Sequence, residues 1–476
     1  MNVTMLFAFF VYFCILTGIG LLFYRRTRNS TDFMLGGRSL NYFVTAIAAQ
    51  ASDMSSWLFL AFPAQLYVLG LFELWTAIGL TVFTFLNWQF IAPRLRAATE
   101  HYDSLTLSSY FNSRFQDKQQ LLGLVSAFIS IVFFAFYITS GLVGLGRIFE
   151  SVFGISYQAG LVLGLISALG YTLVGGFFAV AWCNLFQGLF LLAMLLFVPV
   201  YAYFFVGGWS AISAAASAKG VALTLFPANK SVLHSLLLVG GWGLGYFGQP
   251  HILVYFMGIN DVRNIRYAKY VGIAWLIIAL AAAAGVGLVG LAYFANQAIA
   301  NPELLFVVMA KELFPALLAG FVLCGIFAAT LSTMNSHILI SGSVFATDVY
   351  KRLMHPHAAP QHLVNMSRLG SLIISLGALV LAFGNTNTLY DLVNYAWAGL
   401  GSAFGPVLIA SLYWTRATKA GALTAMILGA VVSGIWPYLN TGIMPLIPGF
   451  FVSTLAVITV SLLTAPAQRT LWTPTT

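Results

Sequence analysis

Charged side chains are scarce in this sequence: Asp, Glu, Lys and Arg together make up 7% of its 476 residues, whereas soluble proteins carry about 25%. Cysteine is also scarce, since the chain has only Cys14, Cys183 and Cys324, all in apolar stretches. The shortage of charge argues against an ordinary soluble enzyme, and the shortage of cysteine excludes a small disulfide-stapled fold. Hydrophobic residues make up 60% of the chain, so the bilayer is the expected solvent of most of it.

Long apolar runs separated by polar breaks predict an all-α integral membrane protein, because each crossing needs about 20 mainly apolar residues. Thirteen transmembrane helices are predicted, at residues 3–23, 41–70, 72–92, 121–150, 157–175, 177–205, 232–257, 270–296, 315–350, 366–384, 389–413, 421–438 and 447–465. The first run has no charged residue before it and no small-residue cleavage site after it. We therefore expect it to remain as a span and not to be removed as a secretory signal.

Lysine and arginine divide unevenly between the two sides that these spans define. With the amino terminus outside, only four of the 21 basic residues face outward: Arg147, Lys219, Lys230 and Lys311. Basic residues are retained in cytoplasmic loops, so the asymmetry predicts an outer amino terminus and a cytoplasmic carboxyl terminus. The expected location is the cell (inner) membrane. The formal net charge of +9 then implies no nucleic-acid partner.

One acidic residue, Asp53, falls in the middle of a predicted span. The other eleven of the 12 acidic residues lie in loops or near span ends, and no Lys or Arg lies at the depth of Asp53. A carboxylate in hydrocarbon costs about 2.5 to 3.5 kcal/mol, so its charge must be neutralised by protonation or by a mobile cation. A protonated Asp53 that only bonds to a neighbouring helix is the simpler structural alternative, and a titrating Asp53 in a proton-coupled transporter is another.

Two spans carry sequence features that interrupt a helix. Residues 48–57 form a polar run whose Ser, Asp and Gln side chains compete with the helix for backbone groups. Residues 240–252 hold five glycines and one proline, which either break the helix or favour close helix packing. Non-helical backbone at membrane depth must be buried in protein or line a cavity, where its freed carbonyl oxygens can accept a small cation.

The positions of the two interrupted spans predict an inverted repeat. Without the first span and the last two, ten remain, and the interrupted ones are the first and the sixth, as in five-plus-five inverted-repeat transporters. The predicted organisation is a first span and loop at 1–40, a transport core at 41–413 with repeats at 41–205 and 232–413, and two final spans with a tail at 414–476. In such a fold the two interrupted helices meet near the midplane of the membrane, and polar residues of other spans should converge there. The long span 315–350 carries such residues: Thr330, Ser332, Thr333, Asn335 and Ser336.

Several strings in the sequence resemble the sodium/solute symporter family, most closely its sodium/proline symporter branch. They are Gly-Gly-Arg-Ser-Leu at 36–40, Ala-Ser-Asp-Met-Ser at 51–55, the run 240–252, Leu-Ser-Thr at 331–333, Tyr-Ala-Trp-Ala-Gly at 395–399 and Ile-Pro-Gly-Phe at 447–450. The resemblance covers about residues 3–465. It implies thirteen helices around a five-plus-five inverted repeat, with Na⁺ as the coupling ion.

The resemblance also implies a binding site. The sodium ligands would be backbone oxygens of Ala51, Met54 and Ala329 and the hydroxyls of Ser332 and Thr333, with Asp53 supplying negative charge beside them. The solute would contact Ser55, Ser56, Trp57, Tyr137, Trp242, Gly243, Tyr246 and Pro250. These residue types suit a small zwitterion, because helix-end amides and hydroxyls bind a carboxylate, while aromatic faces bind an apolar ring or a cationic nitrogen.

Two positions depart from the family pattern. Asn184 stands where the family usually has a carboxylate, in a Trp-x-Asp-x-x-Gln stretch. Asparagine cannot hold the charge, which favours a single sodium ion per turnover. Ser56 stands where the proline branch has glycine, and its added hydroxymethyl group can change which amino acid fits.

The predicted function is sodium-coupled import of a small amino acid, with L-proline as the first choice, by alternating access. The alternatives are sodium- or proton-coupled transport of another amino acid or small organic solute, and a transporter-like solute sensor. An enzyme is not expected, because the histidines within spans, His234, His251 and His337, have no acidic neighbour four residues on. The solute and the lipid bilayer are the expected partners, and no obligatory protein partner is predicted.

Overall fold

Helices account for nearly all of the computed structural model, which describes residues 3–24, 30–297, 299–384 and 388–464. Within these ranges there is no β-strand, only an isolated parallel bridge between Leu40 and Ile259. The prediction of an all-α protein is therefore confirmed. The predicted charge asymmetry rests in part on residues that lie outside these ranges: Arg25, Arg26, Arg28 and Arg469. The tail from 465 to 476 also lies outside the described residues.

The described residues in the first half of the chain form ten α-helices. They are α1 (Val3–Tyr24), α2 (Ser30–Leu35), α3 (Tyr42–Met54), α4 (Ala61–Leu69), α5 (Leu74–Leu86), α6 (Ala92–His101), α7 (Leu107–Arg114), α8 (Leu121–Phe153), α9 (Tyr157–Phe205) and α10 (Gly208–Lys219). The second half adds α11 (Val232–Gly243), α12 (Pro250–Gly258), α13 (Ile265–Tyr293), α14 (Leu305–Leu313), α15 (Ala316–Val344), α16 (Lys351–Leu353), α17 (Pro360–Phe383), α18 (Leu389–Tyr413), α19 (Lys419–Ile435) and α20 (Leu446–Leu463). Short 3-10 or π-helical turns link several of them.

Ten helical segments of the described residues are long and apolar enough to cross a membrane. The longest helix, α9, has 49 residues and joins the predicted spans 157–175 and 177–205. Gly176 interrupts it with φ 65° and ψ −168°, a backbone conformation that favours glycine. The multi-pass helical architecture is therefore confirmed, while the count of thirteen spans remains a prediction.

The first interrupted span breaks at Ser55, within the polar run. Helix α3 ends at Met54, and Ser55 has φ 48° and ψ −170°. A 3-10 turn over Ser56–Leu58 then leads toward α4. The Ser55 hydroxyl accepts a hydrogen bond from the N–H of Trp57 at 3.2 Å and so stabilises the turn that replaces the helix. The helix is therefore interrupted between α3 and α4, within the run where the sequence predicts a break.

The second interrupted span breaks between Gly243 and Pro250. A 3-10 turn over Leu244–Gly248 follows α11, and Gln249 is extended with φ −90° and ψ 103° before α12 begins at Pro250. Proline has no N–H with which to continue a helix, and it favours an extended residue before it. The Gln249 side chain donates to the carbonyl oxygen of Trp397 at 3.0 Å, which holds the break against α18.

Gly248 lies where the second break meets α18, and its replacement by alanine should destabilise the fold. An added Cβ would lie 2.7 to 2.8 Å from backbone atoms of α18. Overpacking of this kind costs about 1 to 3 kcal/mol, so the Tm of purified Gly248→Ala should fall. Gly240→Ala is the matched control, because its Cβ would meet only the end of the Leu244 side chain, at 3.8 Å. Equal Tm losses in the two variants would contradict this packing argument.

Helix α15 lies at the centre of the helical bundle. It packs against α1, α3, α8, α9 and α17, and nearly all of its residues from Ala319 to Val344 are buried. Helices α19 and α20 instead pack against each other and against α18. This arrangement places the middle of α15 directly beside the broken end of α3.

Candidate functional site

Four oxygen atoms converge where the broken end of α3 meets the middle of α15. The Ser332 hydroxyl donates to the carbonyl oxygens of Ala51 at 2.7 Å and Ala329 at 3.0 Å. The Thr333 hydroxyl lies 3.4 Å from the Ala51 oxygen and 3.1 Å from the Ala329 oxygen. All four residues are buried. Clustered oxygen ligands of this kind suit a small hard cation.

The break in α3 frees the carbonyl oxygen of Ala51 from its usual hydrogen bond within the helix, so that it can bond to α15. In a continuous helix this oxygen would accept the N–H of Ser55, but that N–H donates instead to Oγ1 of Thr333 at 3.0 Å. The neighbouring Thr330 behaves as most membrane threonines do, since it donates to Ile326 of its own helix at 2.8 Å. Thr333 therefore connects α15 to α3, whereas Thr330 does not.

Asp53 lies two residues after Ala51, half-buried at the end of α3. Its Oδ2 accepts a hydrogen bond from the hydroxyl of Tyr246 at 2.5 Å, so a residue of the second break contacts the first. Within the described residues, Asp53 forms no ion pair with a lysine or arginine. Its negative charge is therefore available to a mobile cation.

A small central cavity lies next to Asp53. Its volume is about 20 Å³, and its walls are formed by Asp53, Met54, Ser55, Trp57, Leu80, Tyr137, Trp242, Tyr246, Val393 and Trp397. Aromatic rings dominate the wall, with ring centroids 5.2 Å apart for Trp57 and Trp242 and 5.1 Å apart for Tyr246 and Trp397. A cavity that combines aromatic faces with a few polar oxygens can bind a small zwitterion.

The sequence-predicted solute residues divide into two groups. Five of them line the central cavity: Ser55, Trp57, Tyr137, Trp242 and Tyr246. The other three do not: Ser56 lies against Gly144 of α8, Gly243 lies against Phe83 of α5, and Pro250 lines a separate inner cavity. Met54, predicted as a backbone ligand of sodium, also lines the central cavity. Consecutive residues of a turn face different sides. Neighbours in the sequence, such as Ser55 and Ser56, therefore do not all line the central cavity.

The sequence does not predict three of the wall residues. They are Leu80 of α5 and Val393 and Trp397 of α18. Trp397 stands in the Tyr-Ala-Trp-Ala-Gly string, and its Nε1–H donates to the carbonyl oxygen of Trp242 at 2.8 Å. Leu80 and Val393 are apolar residues in apolar helices, and nothing in the sequence distinguishes them from lipid-facing neighbours.

A much larger cavity, of about 830 Å³, lies on the side of the predicted outer loops. It extends from Glu73 to Tyr390 and the turn at 436–445. The ring of Tyr390 lies 5.5 Å from that of Trp242, which lines the central cavity. A layer of aromatic side chains therefore separates the large outer cavity from the central one.

The opposite side of the central cavity is closed by contacts around Arg38. Its guanidinium donates to the carbonyl oxygens of Met257 at 3.1 Å and Thr99 at 2.9 Å. The N–H of Asn260 donates to the carbonyl oxygen of Leu40 at 2.9 Å. These bonds join the segment before α3 to the end of α12 and to α6. The chain is thus more open on the predicted outer side than on the predicted cytoplasmic side.

Asn184 of α9 lies among buried oxygens next to Ser332. Its side-chain nitrogen donates to the Tyr255 hydroxyl at 2.8 Å, the Ser336 hydroxyl at 3.0 Å and the Ser332 carbonyl oxygen at 3.3 Å. A neutral amide donor therefore stands at the position where the resemblance leads us to expect a carboxylate.

Comparisons with known sequences identify the relatives of this chain. The model of the "Sodium:solute symporter family" matches residues 33–429. The osmoregulated proline transporter OpuE of Bacillus subtilis is 40% identical over 471 residues, which cover 98% of this chain and 96% of the relative. The high-affinity proline transporter PutP of the same organism is 42% identical, with 94% and 96% covered. The sodium/proline symporter of Escherichia coli is 39% identical, with 96% and 93% covered.

Solved structures share the fold. A Na⁺-coupled sialic acid symporter in a substrate-bound outward-open state aligns with a TM-score of 0.83 at 19% identity, covering 98% of this chain and 99% of that one. The nucleobase-cation-symport-1 transporter Mhp1 in a closed conformation aligns with a TM-score of 0.58 at 15% identity, covering 90% and 92%. The family match covers most of this chain, and several relatives are about 40% identical to it over nearly its whole length. The chain belongs to the sodium:solute symporter family.

Proposed function

We propose that this protein is a sodium-coupled symporter that imports L-proline by alternating access. The observation that carries the proposal is the junction of α3 and α15, where oxygens of Ala51, Ala329, Ser332 and Thr333 converge at the helix end that also carries Asp53. Relatives that are 39 to 42% identical and span nearly the whole chain are named as proline transporters or sodium/proline symporters. Their names support proline as the solute.

Sodium binds to these four oxygens and to the backbone oxygen of Met54, with Asp53 as the nearby negative charge. Because the oxygens come from two helices, the bound ion ties the broken end of α3 to α15. One positive charge that moves inward across the full membrane potential releases about 2.3 kcal/mol per 100 mV. This energy, added to the sodium gradient, drives solute accumulation.

The solute binds in the central cavity, against the five predicted residues that form its wall. The Ser55 hydroxyl and the helix-end amides receive the carboxylate of proline, and the aromatic faces receive its ring and cationic nitrogen. A cavity of about 20 Å³ holds roughly one water molecule, so Trp57 and Trp242 must separate when proline enters. Ser56, Gly243 and Pro250 shape the two turns that present the contact residues.

Alternating access exposes the central cavity to each side in turn. The outer cavity of about 830 Å³ and the closed contacts around Arg38 suit an outward-facing state. We propose that repeats of five spans at 41–205 and 232–413 rock against each other, within the thirteen-span fold whose outer parts are 1–40 and 414–476. The amino terminus lies outside and the carboxyl terminus inside the cell (inner) membrane. Transport by this cycle requires no catalysis and no obligatory protein partner.

Uptake of radiolabelled L-proline into proteoliposomes that contain the purified protein tests this proposal. A sodium gradient should drive accumulation, whereas choline in place of sodium, or a proton gradient alone, should not. Competition by a panel of amino acids then defines the solute class. Proline binding without sodium-driven uptake would favour a solute sensor, and uptake driven by protons alone would favour titration of Asp53 over sodium binding.

Transport of one sodium ion with each proline is a further expected result. The amide of Asn184 occupies the oxygen cluster next to Ser332 and carries no charge, which leaves the junction of α3 and α15 as the single cation site. The membrane potential at which net proline flux stops, measured at a fixed sodium gradient, gives the coupling ratio. A ratio of two would contradict this reading of Asn184.

A further inference from the structure

Two histidine side chains meet in the interior, outside the wall of the central cavity. His251 follows Pro250 at the start of α12, and His337 lies four residues after Thr333 on α15. Both side chains are fully buried. Their ring centroids are 4.3 Å apart, and the ring planes are inclined at 76°. The two imidazoles are therefore in direct contact between neighbouring helices.

All four ring nitrogens of this histidine pair are buried without a hydrogen-bond partner among the described residues. A neutral imidazole carries one N–H donor and one nitrogen acceptor, so the pair offers two donors and two acceptors. Most buried polar groups are hydrogen-bonded, and each exception requires an explanation. A histidine that only filled space would be expected to bond at least one nitrogen to a nearby carbonyl or hydroxyl group.

The histidine pair lies directly behind the wall of the central cavity. Tyr137, which lines that cavity, stacks on His337 with a centroid distance of 4.4 Å and an interplanar angle of 28°. The ring of Phe134, one helical turn earlier on α8, lies 5.0 Å from His337 and 6.2 Å from His251. The rings of Tyr137 and Phe134 thus cover the pair.

A second cavity begins beyond the pair, toward the predicted cytoplasmic side. Three residues after each histidine, Val254 and Ile340 line this inner cavity, as does Ser130 of α8. Its volume is about 20 Å³. Leu105 lines both this cavity and a cavity of about 360 Å³ that also contacts Lys351. Along α8, α12 and α15 the order is therefore central cavity, histidine pair, inner cavity and cytoplasmic surface.

A zwitterion that moves along this path loses much of its water. The inner cavity is lined by apolar side chains and the hydroxyls of Thr106, Ser108, Ser130 and Ser343, and none of its wall residues is charged. Moving a charged group into such surroundings without hydrogen bonds is costly. The two unused donors and two unused acceptors of the histidine pair match the opposite charges of a zwitterion, because N–H groups bind the carboxylate and ring nitrogens accept the ammonium.

We propose that His251 and His337 form a transit site for the zwitterionic solute between the central cavity and the cytoplasm. When the inner half opens, Tyr137 and Phe134 uncover the pair, which binds the solute after it leaves the central cavity. This inference rests on the proposed symport of proline and adds a second, inner solute site to it. The pair then speeds release on the inner side and does not contribute to binding from the outside.

Binding and release can be measured separately on the full-length protein. His251→Leu and His337→Leu remove the donors and acceptors, whereas His251→Gln and His337→Gln retain one donor and one acceptor group. The readouts are sodium-dependent binding of labelled proline to the purified protein, and proline efflux and exchange in proteoliposomes. Phe256→Leu is the matched control, because it also replaces a buried ring on α12, one that packs against Trp88 at 4.4 Å.

The leucine variants should bind proline within about two-fold of the unaltered protein, while exchange slows roughly 10-fold, as expected for the loss of a hydrogen bond to a charged group. The glutamine variants should recover most of the exchange rate, and Phe256→Leu should retain it. Exchange at the unaltered rate in folded leucine variants would overturn the transit site. A loss of binding in proportion to the loss of exchange would also overturn it.

A cysteine at position 337 keeps the proposal testable if the leucine variants do not fold. His337→Cys should react with a thiol reagent added on the inner side, and proline should slow that reaction. The unaltered protein, with Cys14 exposed and Cys183 and Cys324 buried, supplies the background. A transport-active His337→Cys protein that is never labelled would overturn the transit site. Failure of the proposed function itself would be recognised earlier, as a lack of sodium-dependent proline binding by the unaltered protein.

Discussion

Replacing Asp53 with asparagine should reduce sodium-driven proline uptake by about 100-fold, because the attraction between unit charges a few ångström apart is about 3 kcal/mol at an effective dielectric constant of about 20. Asparagine has nearly the same shape as aspartate, and its amide oxygen can still accept the hydrogen bond that Tyr246 now donates to Oδ2. Insertion should be unaffected, since removing a charge from the membrane interior lowers its cost. Initial uptake rates at equal amounts of inserted protein measure the effect.

Asp261→Asn is the matched control for Asp53→Asn. Asp261 is an acidic residue whose side chain pairs with exposed Arg263 at 2.7 Å, away from the helix breaks. Its replacement also removes one negative charge but should leave uptake within about two-fold, as expected for substitutions away from buried interactions. Normal sodium-driven uptake by Asp53→Asn would remove the electrostatic basis of the proposed sodium site.

The two helix breaks could be predicted from the sequence because their causes are local. Ser55 stands in a polar run that competes for backbone hydrogen bonds, and Pro250 lacks the N–H that a continuing helix needs. Both breaks occur in the structure within the predicted runs, 48–57 and 240–252. Gly176, whose φ of 65° is positive, also falls between two predicted spans, although α9 continues through it. Local chemistry is thus sufficient to locate the discontinuities.

The walls of the central cavity could be predicted only in part, because they depend on contacts between distant residues. The hydrogen bond from Tyr246 to Asp53 joins residues 193 positions apart, and no spacing rule indicates it. Leu80 and Val393 line the cavity only because of how α5 and α18 are rotated in the bundle. Their sequence surroundings are those of any apolar span, so periodicity cannot separate cavity-facing from lipid-facing residues there.

The unpaired nitrogens of His251 and His337 show the same limit. The sequence places both histidines within spans, but it does not show that α12 and α15 bring their rings to 4.3 Å. The sequence shows that neither histidine has an acidic neighbour four residues on, which argues against catalysis. The structure adds that the two imidazole rings are buried against each other. Only the packing of α8, α12 and α15 shows that the histidine pair lies between the central cavity and the inner cavity.

Replacing Thr333 with valine should raise the sodium concentration for half-maximal uptake by about 10- to 100-fold, since a lost bond to a charged group costs about 1.5 to 3 kcal/mol. Valine has nearly the shape of threonine but lacks Oγ1, which accepts the N–H of Ser55 at 3.0 Å and lies 3.1 Å from the carbonyl oxygen of Ala329. The variant therefore loses one proposed sodium ligand and leaves the buried N–H at the α3 break unbonded. Uptake measured over a range of sodium concentrations, at saturating proline, gives the shift.

Thr330→Val on the same helix separates the loss of a sodium ligand from the loss of a buried hydroxyl. Thr330 donates only to Ile326 of its own helix, so its replacement should leave the sodium dependence within about two-fold. Thr333→Ser should restore most of the sodium affinity, because serine keeps the oxygen and loses only a methyl group. If Thr333→Val and Thr330→Val shifted the sodium dependence equally, the hydroxyl at the α3 break would not be a sodium ligand. The junction of α3 and α15 would then hold the two helices together without binding the coupling ion.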